Sequence, residues 1–185
     1  MMRWVLGAGL GLVGLAAPAV AKDAAPCPAG AVCASVPATV AAQVMKAGYR
    51  ALLTTDRGGD PEVQSTAEGY DWQVYFYDCE NHAQCAALQF SIGFKPDPIH
   101  TAARANKWNA TQRFGQMAVT DDGGLTVSHD LSTVGGVNPV NFADQISWWT
   151  SVIAQIEKFF AAERAGPASP APARGAVSGK PIASR

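Results

Sequence analysis

The chain has 185 residues, of which 48% are hydrophobic and 16% charged, and its formal net charge is -1. This length suits one globular domain with appendages, because a single hydrophobic core grows to about 150 residues before chains tend to divide. The near-zero charge lacks the basic surface with which proteins neutralise phosphates, so we expect no nucleic-acid binding. The composition also excludes a coiled coil, a collagen-like fibre and a protein with several membrane spans.

Residues 1–21 have the pattern of a signal peptide. Arg3 gives a positive start, residues 4–16 form an apolar run, and Ala19–Ala21 places small residues where a signal peptidase cleaves. We therefore predict cleavage after Ala21 and a periplasmic or secreted protein with no membrane span in its mature form. Retention of this segment as a membrane anchor is the alternative, but its four glycines and the lack of a stop-transfer cluster favour cleavage.

The four cysteines are interpreted in the light of export. In an oxidising compartment, an even number of cysteines is most simply a set of disulfide bonds. We predict a Cys79–Cys85 bond because the flanking strands form a hairpin, and this leaves Cys27 and Cys33 for each other. The second bond would lie in residues 22–36, which lack periodicity and are expected to form a flexible leader. A metal site or an exchangeable redox pair is the alternative.

The periodicity of residues 37–164 predicts a single domain of helices and strands. Hairpin-length connections make its sheet mostly antiparallel, so the predicted fold class is α+β, with helices packed on the sheet. The expected order is a helix at 37–47, strands near 49–55, 61–66, 69–78 and 86–94, a helix from 97 to about 108, strands near 112–120 and 124–131, and a final helix that Asn138-Pro139 begins.

Local signals refine three of these elements. Pro61 and a poor hydrophobic pattern predict that the strand near 61–66 lies at the edge of the sheet. Asp97-Pro98 has the pattern of a helix cap followed by a first-turn proline. In the final helix, apolar residues recur at intervals of three and four, which predicts a buried stripe of Phe142, Ile146, Trp149, Ile153, Ile156 and Phe160.

The end of the chain has a different composition from the domain. Residues 165–185 consist mainly of Ala, Pro, Gly and Ser with three basic and no acidic residues, which is typical of a disordered tail. Ten basic and fifteen acidic residues remain between 22 and 164, a net charge of about -5. The tail could support weak self-association or contact with an anionic surface, but a solubilising role is favoured.

Several short sequences, in their order along the chain, resemble the YbjN domain family over about 37–160. They are Gly48-Tyr49, Tyr75–Cys79, Leu88–Phe90, Asn106–Asn109, Arg113-Phe114, and Gly135–Val137 before a Trp-rich final helix. The resemblance implies an α+β fold similar to that of type III secretion chaperones and a role as a bacterial sensory-transduction regulator. It implies no particular chemistry. The signal peptide, cysteines and tail differ from the commoner cytoplasmic members, which argues against a direct cytoplasmic regulatory role.

Candidate binding residues are Asn106, Trp108, Asn109 and Trp148. The first three would form a polar and aromatic rim of a ligand or peptide groove, a role supported by the family resemblance alone. Their structural alternative is Trp108 as a core anchor and Asn109 as a helix C-terminal cap. Trp148 adjoins Trp149 on a helix, so it should lie at the edge of the buried stripe, where a Trp often marks a contact surface.

Catalytic and metal-binding patterns are scarce, and we assign no catalytic residue, metal or cofactor. His129 and Asp130 could be a base and its orienting group, but alternation favours a core or rim position for His129. Asp78, Glu80 and His82 could ligate a metal, although hairpin tips are usually polar because they face water. The sequence thus favours an exported, non-enzymatic binding or regulatory module with a protein partner or self-association. A hydrolase with an unrecognised site and a self-associating envelope factor are the alternatives.

Overall fold

A computed structural model describes residues 26–165 of the chain. Its element order confirms the predicted α+β class and the order α-β-β-β-β-α-β-β-α. The predicted signal peptide, residues 22–25 of the leader and residues 166–185 of the tail lie outside the described residues. The elements are α1 (Pro37–Lys46), β1 (Leu52–Thr55), β2 (Pro61–Ala67), β3 (Tyr70–Tyr77), β4 (Ala87–Phe94), α2 (Ala102–Thr111), β5 (Gln116–Val119), β6 (Leu125–Ser132) and α3 (Pro139–Ala165).

The six strands form one antiparallel sheet in the order β1-β2-β3-β4-β6-β5. The edge position predicted for the strand near 61–66 is therefore wrong, since β2 lies between β1 and β3. Pro61 is tolerated there because it is the first residue of the strand, and the ladder to β3 begins only at Glu62. The edges of the sheet are β1 and the four-residue β5.

The hydrophobic core lies between one face of the sheet and the helices. Phe90 on β4 contacts both Trp72 on β3 and Trp149 on α3, with ring centroids 6.0 Å apart in each pair. The predicted stripe of α3 is confirmed, because all six of its residues are buried. Within residues 26–165, no helix combines the length and the apolar character that a membrane span requires.

The first helix ends at a glycine with a left-handed backbone. Gly48 has a φ of 93° and follows the cap residue Ala47, and its N–H donates to the carbonyl of Met45 at 3.0 Å. The N–H of Tyr49 donates to the carbonyl of Val44 at 3.2 Å. This pair of bonds satisfies the last helical carbonyls, and glycine adopts the left-handed backbone that it needs without steric cost.

The second helix begins later than predicted. Asp97 does not cap it, because this side chain accepts the N–H of Ile99 at 2.9 Å, and the N–H of His100 donates to the Asp97 carbonyl. Residues 97–100 thus form a turn with proline at its second position. Thr101 is the N-cap of α2, and its hydroxyl accepts the N–H of Arg104 at 3.3 Å.

Residues 26–36 differ from the flexible leader that we expected. Val32 exchanges two backbone hydrogen bonds with Val137, each 2.9 Å long. Cys33 and Ala34 are buried, and the N–H of Ala34 donates to the Thr133 hydroxyl at 2.9 Å. Backbone hydrogen bonds and the burial of single residues can order a segment that has no hydrophobic periodicity. This part of the leader therefore belongs to the domain.

Both predicted cysteine pairings are confirmed by the distances between sulfur atoms. The Sγ atoms are 2.08 Å apart in Cys79–Cys85 and 2.13 Å apart in Cys27–Cys33. The first bond closes the β3–β4 hairpin. The second bond closes a loop within the segment that contains Val32, and the backbone bonds between Val32 and Val137 hold this segment against the loop before α3.

Candidate partner-binding site

Trp148 and Phe114 form an exposed aromatic pair on the helix side of the molecule. Trp148 is 43% exposed, whereas its neighbour Trp149 is fully buried, because adjacent helical residues point about 100° apart. Phe114, in the loop between α2 and β5, is 41% exposed, and its ring centroid lies 4.9 Å from that of Trp148. Two large exposed aromatic rings in contact are unusual unless they belong to a contact surface.

The position of Phe114 is fixed by its neighbours in the loop. Its φ of 59° places it in the left-handed region, which is uncommon for a bulky residue. The next residue, Gly115, lies so close to α3 that a Cβ atom there would be 2.7 Å from a methyl group of Val152. The indole N–H of Trp108 donates to the carbonyl of Gly115 at 2.7 Å. The loop is therefore held from both sides, and the Phe114 ring is presented at the surface.

Beside this pair, the edge of β6 is partly open. The short strand β5 pairs with β6 only as far as Ser128, whereas β4 pairs with β6 as far as Ser132. The N–H of Thr133 donates to the carbonyl of Ala86, just before β4. Backbone N–H and C=O groups of successive residues in a strand point to opposite sides, so those of Asp130 and Ser132 point away from β4, to the side where β5 has ended. A groove of about 460 Å³ lies there, lined by Asn109, Gln112, Phe114, Gly115, Gln116, Ser128, His129 and Asp130.

His129 connects this groove to the core. It is partly buried, its ring stacks on Phe90 with centroids 6.0 Å apart, and Phe114 meets it edge-on at 5.8 Å. The Nε2 atom of His129 lies 2.9 Å from the Oε1 atom of Gln145 on α3. The prediction of a core or rim histidine is confirmed. Its ring lies between Phe90 of the core and Phe114 of the exposed pair.

The groove contains the residue types that a hydrolase would use, but not their geometry. Ser128, His129 and Asp130 are consecutive on β6, so His129 faces the helices while Ser128 and Asp130 face the other side of the sheet. Asp130 accepts a hydrogen bond from Gln89 at 2.8 Å, and the partner of His129 is Gln145. Asp130 therefore does not orient His129 as a catalytic pair would require.

The other predicted binding residues lie on α2. Trp108 is fully buried, so it serves as a core anchor and does not line a binding groove. Asn106 is exposed on the helix surface. Asn109 lies inside α2 rather than at its cap. Its amide donates to the carbonyl of Met117 at 3.0 Å and accepts the N–H of Met117 at 2.8 Å. Asn109 thus pairs with the outer edge of β5 as a neighbouring strand would, and Asn106 and Trp148 remain accessible to a partner.

The helices α2 and α3 are joined by ion pairs near the C-terminal end of α3. Glu163 on α3 bonds to Lys107, and its second oxygen lies 3.2 Å from the Nε atom of Arg104. The hydrogen bond from Lys107 lowers the pKa of Glu163 below its usual value of 4.5, and Arg104 adds to this effect. This end of the molecule is therefore held by paired charges.

His82, in the hairpin loop closed by Cys79–Cys85, contacts a carboxylate of a neighbouring turn. The Nδ1 atom of His82 lies 2.8 Å from a carboxylate oxygen of Asp60 in the β1–β2 turn. Among residues 26–165, no three His, Cys, Asp or Glu side chains lie close enough together to hold a metal ion. The contact instead connects two neighbouring turns at one end of the sheet.

Comparisons with known proteins agree with this fold. The chain is similar to the crystal structure of YbjN from E. coli, described as "a putative transcription regulator", with a TM-score of 0.50 and 18% sequence identity over 69% of this chain and 94% of that chain. This likeness shows the α+β fold. Among the curated proteins, none matches this chain.

The family model for YbjN, described as "Putative bacterial sensory transduction regulator", matches residues 37–162. The chain belongs to the YbjN family, as its sequence resemblance implied. The sequence did not reveal the open edge of β6 or the role of Gln145, since both depend on where β5 ends and on how α3 lies. Arg113-Phe114 was one of the family's short sequences, but nothing in it indicated an exposed ring.

Proposed function

We propose that this protein is an exported, non-enzymatic regulatory module that binds a protein partner through the surface formed by Trp148, Phe114 and the adjacent groove. The observation that carries the proposal is the contact between two large aromatic rings, each more than 40% exposed, beside backbone groups of β6 that have no partner strand within residues 26–165. Family membership supports a regulatory role. Aromatic anchors at the centre of a contact contribute most of the free energy of binding in many interfaces.

The arrangement suits a polypeptide partner better than a small molecule. The groove is open and shallow, and its walls are a strand edge and a helix rather than an enclosed apolar pocket. A partner segment could contact both aromatic rings and could also bond to the backbone of Asp130 and Ser132. A second copy of the chain would satisfy the same chemistry, and self-association is the second candidate function.

Export is the second part of the proposal and is supported by the signal-peptide pattern and the two disulfide-bonded pairs. N-terminal sequencing of the mature protein from its host should begin at Lys22. A full-length product retained in the membrane would contradict cleavage.

The test of the binding surface uses a Trp148→Ala variant and a Met45→Ala control. Met45 on α1 is 55% exposed, and α1 lies over the opposite edge of the sheet. Both variants and the wild-type protein would be used for quantitative affinity capture from envelope extracts and for sedimentation analysis. We expect Trp148→Ala to reduce capture or self-association by about 30-fold or more, since a central aromatic residue contributes about 2 kcal/mol or more. Equal binding by all three proteins would contradict the proposal.

A further inference from the structure

The face of the sheet opposite the helices is open within residues 26–165. Neighbouring residues along a strand point to opposite faces, so the residues next to buried core residues such as Val74 and Phe90 lie on this side. A row of side chains crosses five strands through consecutive cross-strand pairs. The row consists of Thr54, Glu62, Tyr75, Gln89 and Asp130.

This row carries negative charge and no positive charge. Glu62 is only 7% exposed, and one of its oxygens accepts a hydrogen bond from Gln64 at 3.3 Å. Asp130 is exposed at the other end of the row, and Asp71 is exposed on the same face. In the described part of the chain, none of these three carboxylates lies within 4.0 Å of a Lys, Arg or His nitrogen.

The tyrosines of the open face respond to this negative charge. Burial raises the pKa of Tyr75, and the carboxylate of Glu62 raises it further, although Arg57 acts in the opposite direction. Burial also raises the pKa of Tyr77, and the next contribution comes from Asp130. The open face is thus a surface where a cation would be stabilised, and the ring of Tyr75 between the two carboxylates offers a further contact for it.

The basic side chains of residues 26–165 form no ion pair with these carboxylates, although Arg57 lies near enough to Tyr75 to oppose the rise of its pKa. Lys107, Arg104 and Arg164 form ion pairs at the ends of α2 and α3, on the helix side of the molecule. Arg50 borders the open face, in a shallow groove with Asp71, but makes no ion pair there. Residues 26–165 contain nine Lys or Arg and fourteen Asp or Glu, a net charge of -5.

The tail has the complementary charge and a suitable length. Residues 166–185 contain Arg174, Lys180 and Arg185 and no acidic residue. Glu62 and Asp130 lie three strand spacings apart, about 14 Å. Basic residues five or six positions apart are separated by up to about 17–20 Å in an extended chain, so two of them can reach both carboxylates.

The path from the domain to the open face is also short enough. The domain ends with α3 at Ala165, nine residues before Arg174. Nine extended residues span up to about 30 Å, about three times the spacing of about 10 Å between packed layers, which leaves length for the chain to pass round an edge of the sheet. We propose that residues 166–185 lie across the open face of the sheet, with their basic side chains beside Glu62 and Asp130.

The experiment compares isotope-labelled proteins that end at Arg185 without an added tag. One variant has a neutral tail, with Arg174→Gln, Lys180→Gln and Arg185→Gln. Its amide resonances should differ from those of the wild-type protein at Glu62, Tyr75, Gln89 and Asp130, at least threefold more than on the three helices. The differences should disappear in about 0.5 M salt, because salt screens contacts between exposed charges. Unchanged open-face resonances would overturn the proposal.

A synthetic peptide of residues 166–185, added to the neutral-tail protein, measures the contact directly. The face variant Glu62→Gln with Asp130→Asn should weaken peptide binding about tenfold, since it removes two charges and one ion pair at the surface contributes a factor of up to about five. The control Asp144→Asn with Glu157→Gln removes the same charge from exposed positions of α3 and should change binding less than about twofold. An equal loss in both variants would show a nonspecific attraction and overturn the proposal.

Two further measurements separate a loss of the contact from misfolding and from contact with a second copy. Asp130→Asn alone provides the same test, with about a threefold loss, if replacement of the buried Glu62 prevents folding. Resonance differences that grow with protein concentration would place the tail of a second copy on the face, which would overturn the intramolecular contact. Neither result depends on Trp148, so this proposal and the proposed partner surface can fail separately.

Discussion

The two faces of the sheet come from the same strands but have opposite characters. On β3 and β4, Trp72, Val74 and Phe90 are fully buried beneath the helices. Their neighbours Gln73 and Gln89 face the open side and remain partly exposed. The covered face therefore supplies most of the hydrophobic stabilisation, while the open face and the edge of β6 carry polar and aromatic groups that can contact other molecules. Substitutions on the two faces should accordingly have different consequences.

The largest effect is expected at Trp149. A Trp149→Ala change should lower the free energy of unfolding by about 3–5 kcal/mol, the usual range for a deleted buried aromatic residue. The indole N–H of Trp149 has no hydrogen-bond partner among the described residues, so packing against Trp72 and Phe90 carries its contribution. Urea denaturation measures this change.

The adjacent Trp148 provides the matched control for this measurement. A Trp148→Ala change should cost less than about 1 kcal/mol, because the side chain is 43% exposed and its ring contact with Phe114 is at the surface. If Trp148→Ala unfolds the protein while Trp149→Ala does not, the assignment of the two residues to different surfaces is wrong.

An intermediate effect is expected at Asn109, where α2 meets the edge of the sheet. Asn109→Ala removes both bonds to Met117 and leaves two backbone groups of a buried residue without partners. We expect a loss of about 2 kcal/mol in the free energy of unfolding. Asn106→Ala, on the exposed surface of the same helix, should change stability by less than about 0.5 kcal/mol. Equal effects of the two variants in urea denaturation would argue against strand-like pairing by Asn109.

The smallest effect concerns Tyr75 on the open face and appears only in alkali. Its pKa is raised in the folded protein, mainly by burial and then by Glu62. The protonated Tyr75 hydroxyl therefore contributes its full share to the free energy of unfolding below pH 10, the usual pKa. This contribution is lost as the pH rises through the higher pKa of the folded protein. Tyr75→Phe should reduce the decline in stability above pH 10, measured by denaturation at a series of pH values. An unchanged decline would show that Tyr75 ionises equally easily in both states.

Local patterns in the sequence predicted most of the fold. Strict alternation identified β3 and β4, and intervals of three and four identified the buried stripe of α3, because each pattern reflects one regular geometry. The positive φ at Gly48 and the hairpin between Cys79 and Cys85 were also predictable, since both depend on neighbouring residues. The family resemblance rested on short sequences in the same segment.

The errors have three different physical causes. Pro61 indicated an edge, but β2 pairs with β1 on one side and with β3 on the other, because a proline is tolerated at the first position of a strand. Residues 26–36 lack periodicity, yet Val32 pairs with Val137, more than a hundred positions away. Asn109 resembled a helix cap, whereas its partner Met117 lies on an edge strand. The Val32–Val137 pairing joins segments that are far apart in the chain, whereas the other two features depend on how the strands and α2 are arranged in space.

The sequence by itself determined the α+β class, the element order, the cysteine pairing and the phase of the final helix, because each follows from contacts between residues close along the chain. Only the tertiary structure decided that β5 leaves the end of β6 without a partner strand, that Phe114 contacts Trp148, and that Glu62 and Asp130 lie in one row across the sheet. These features depend on strand order, register and the position of α3 over the sheet. They result from packing of the whole core, which no local pattern specifies.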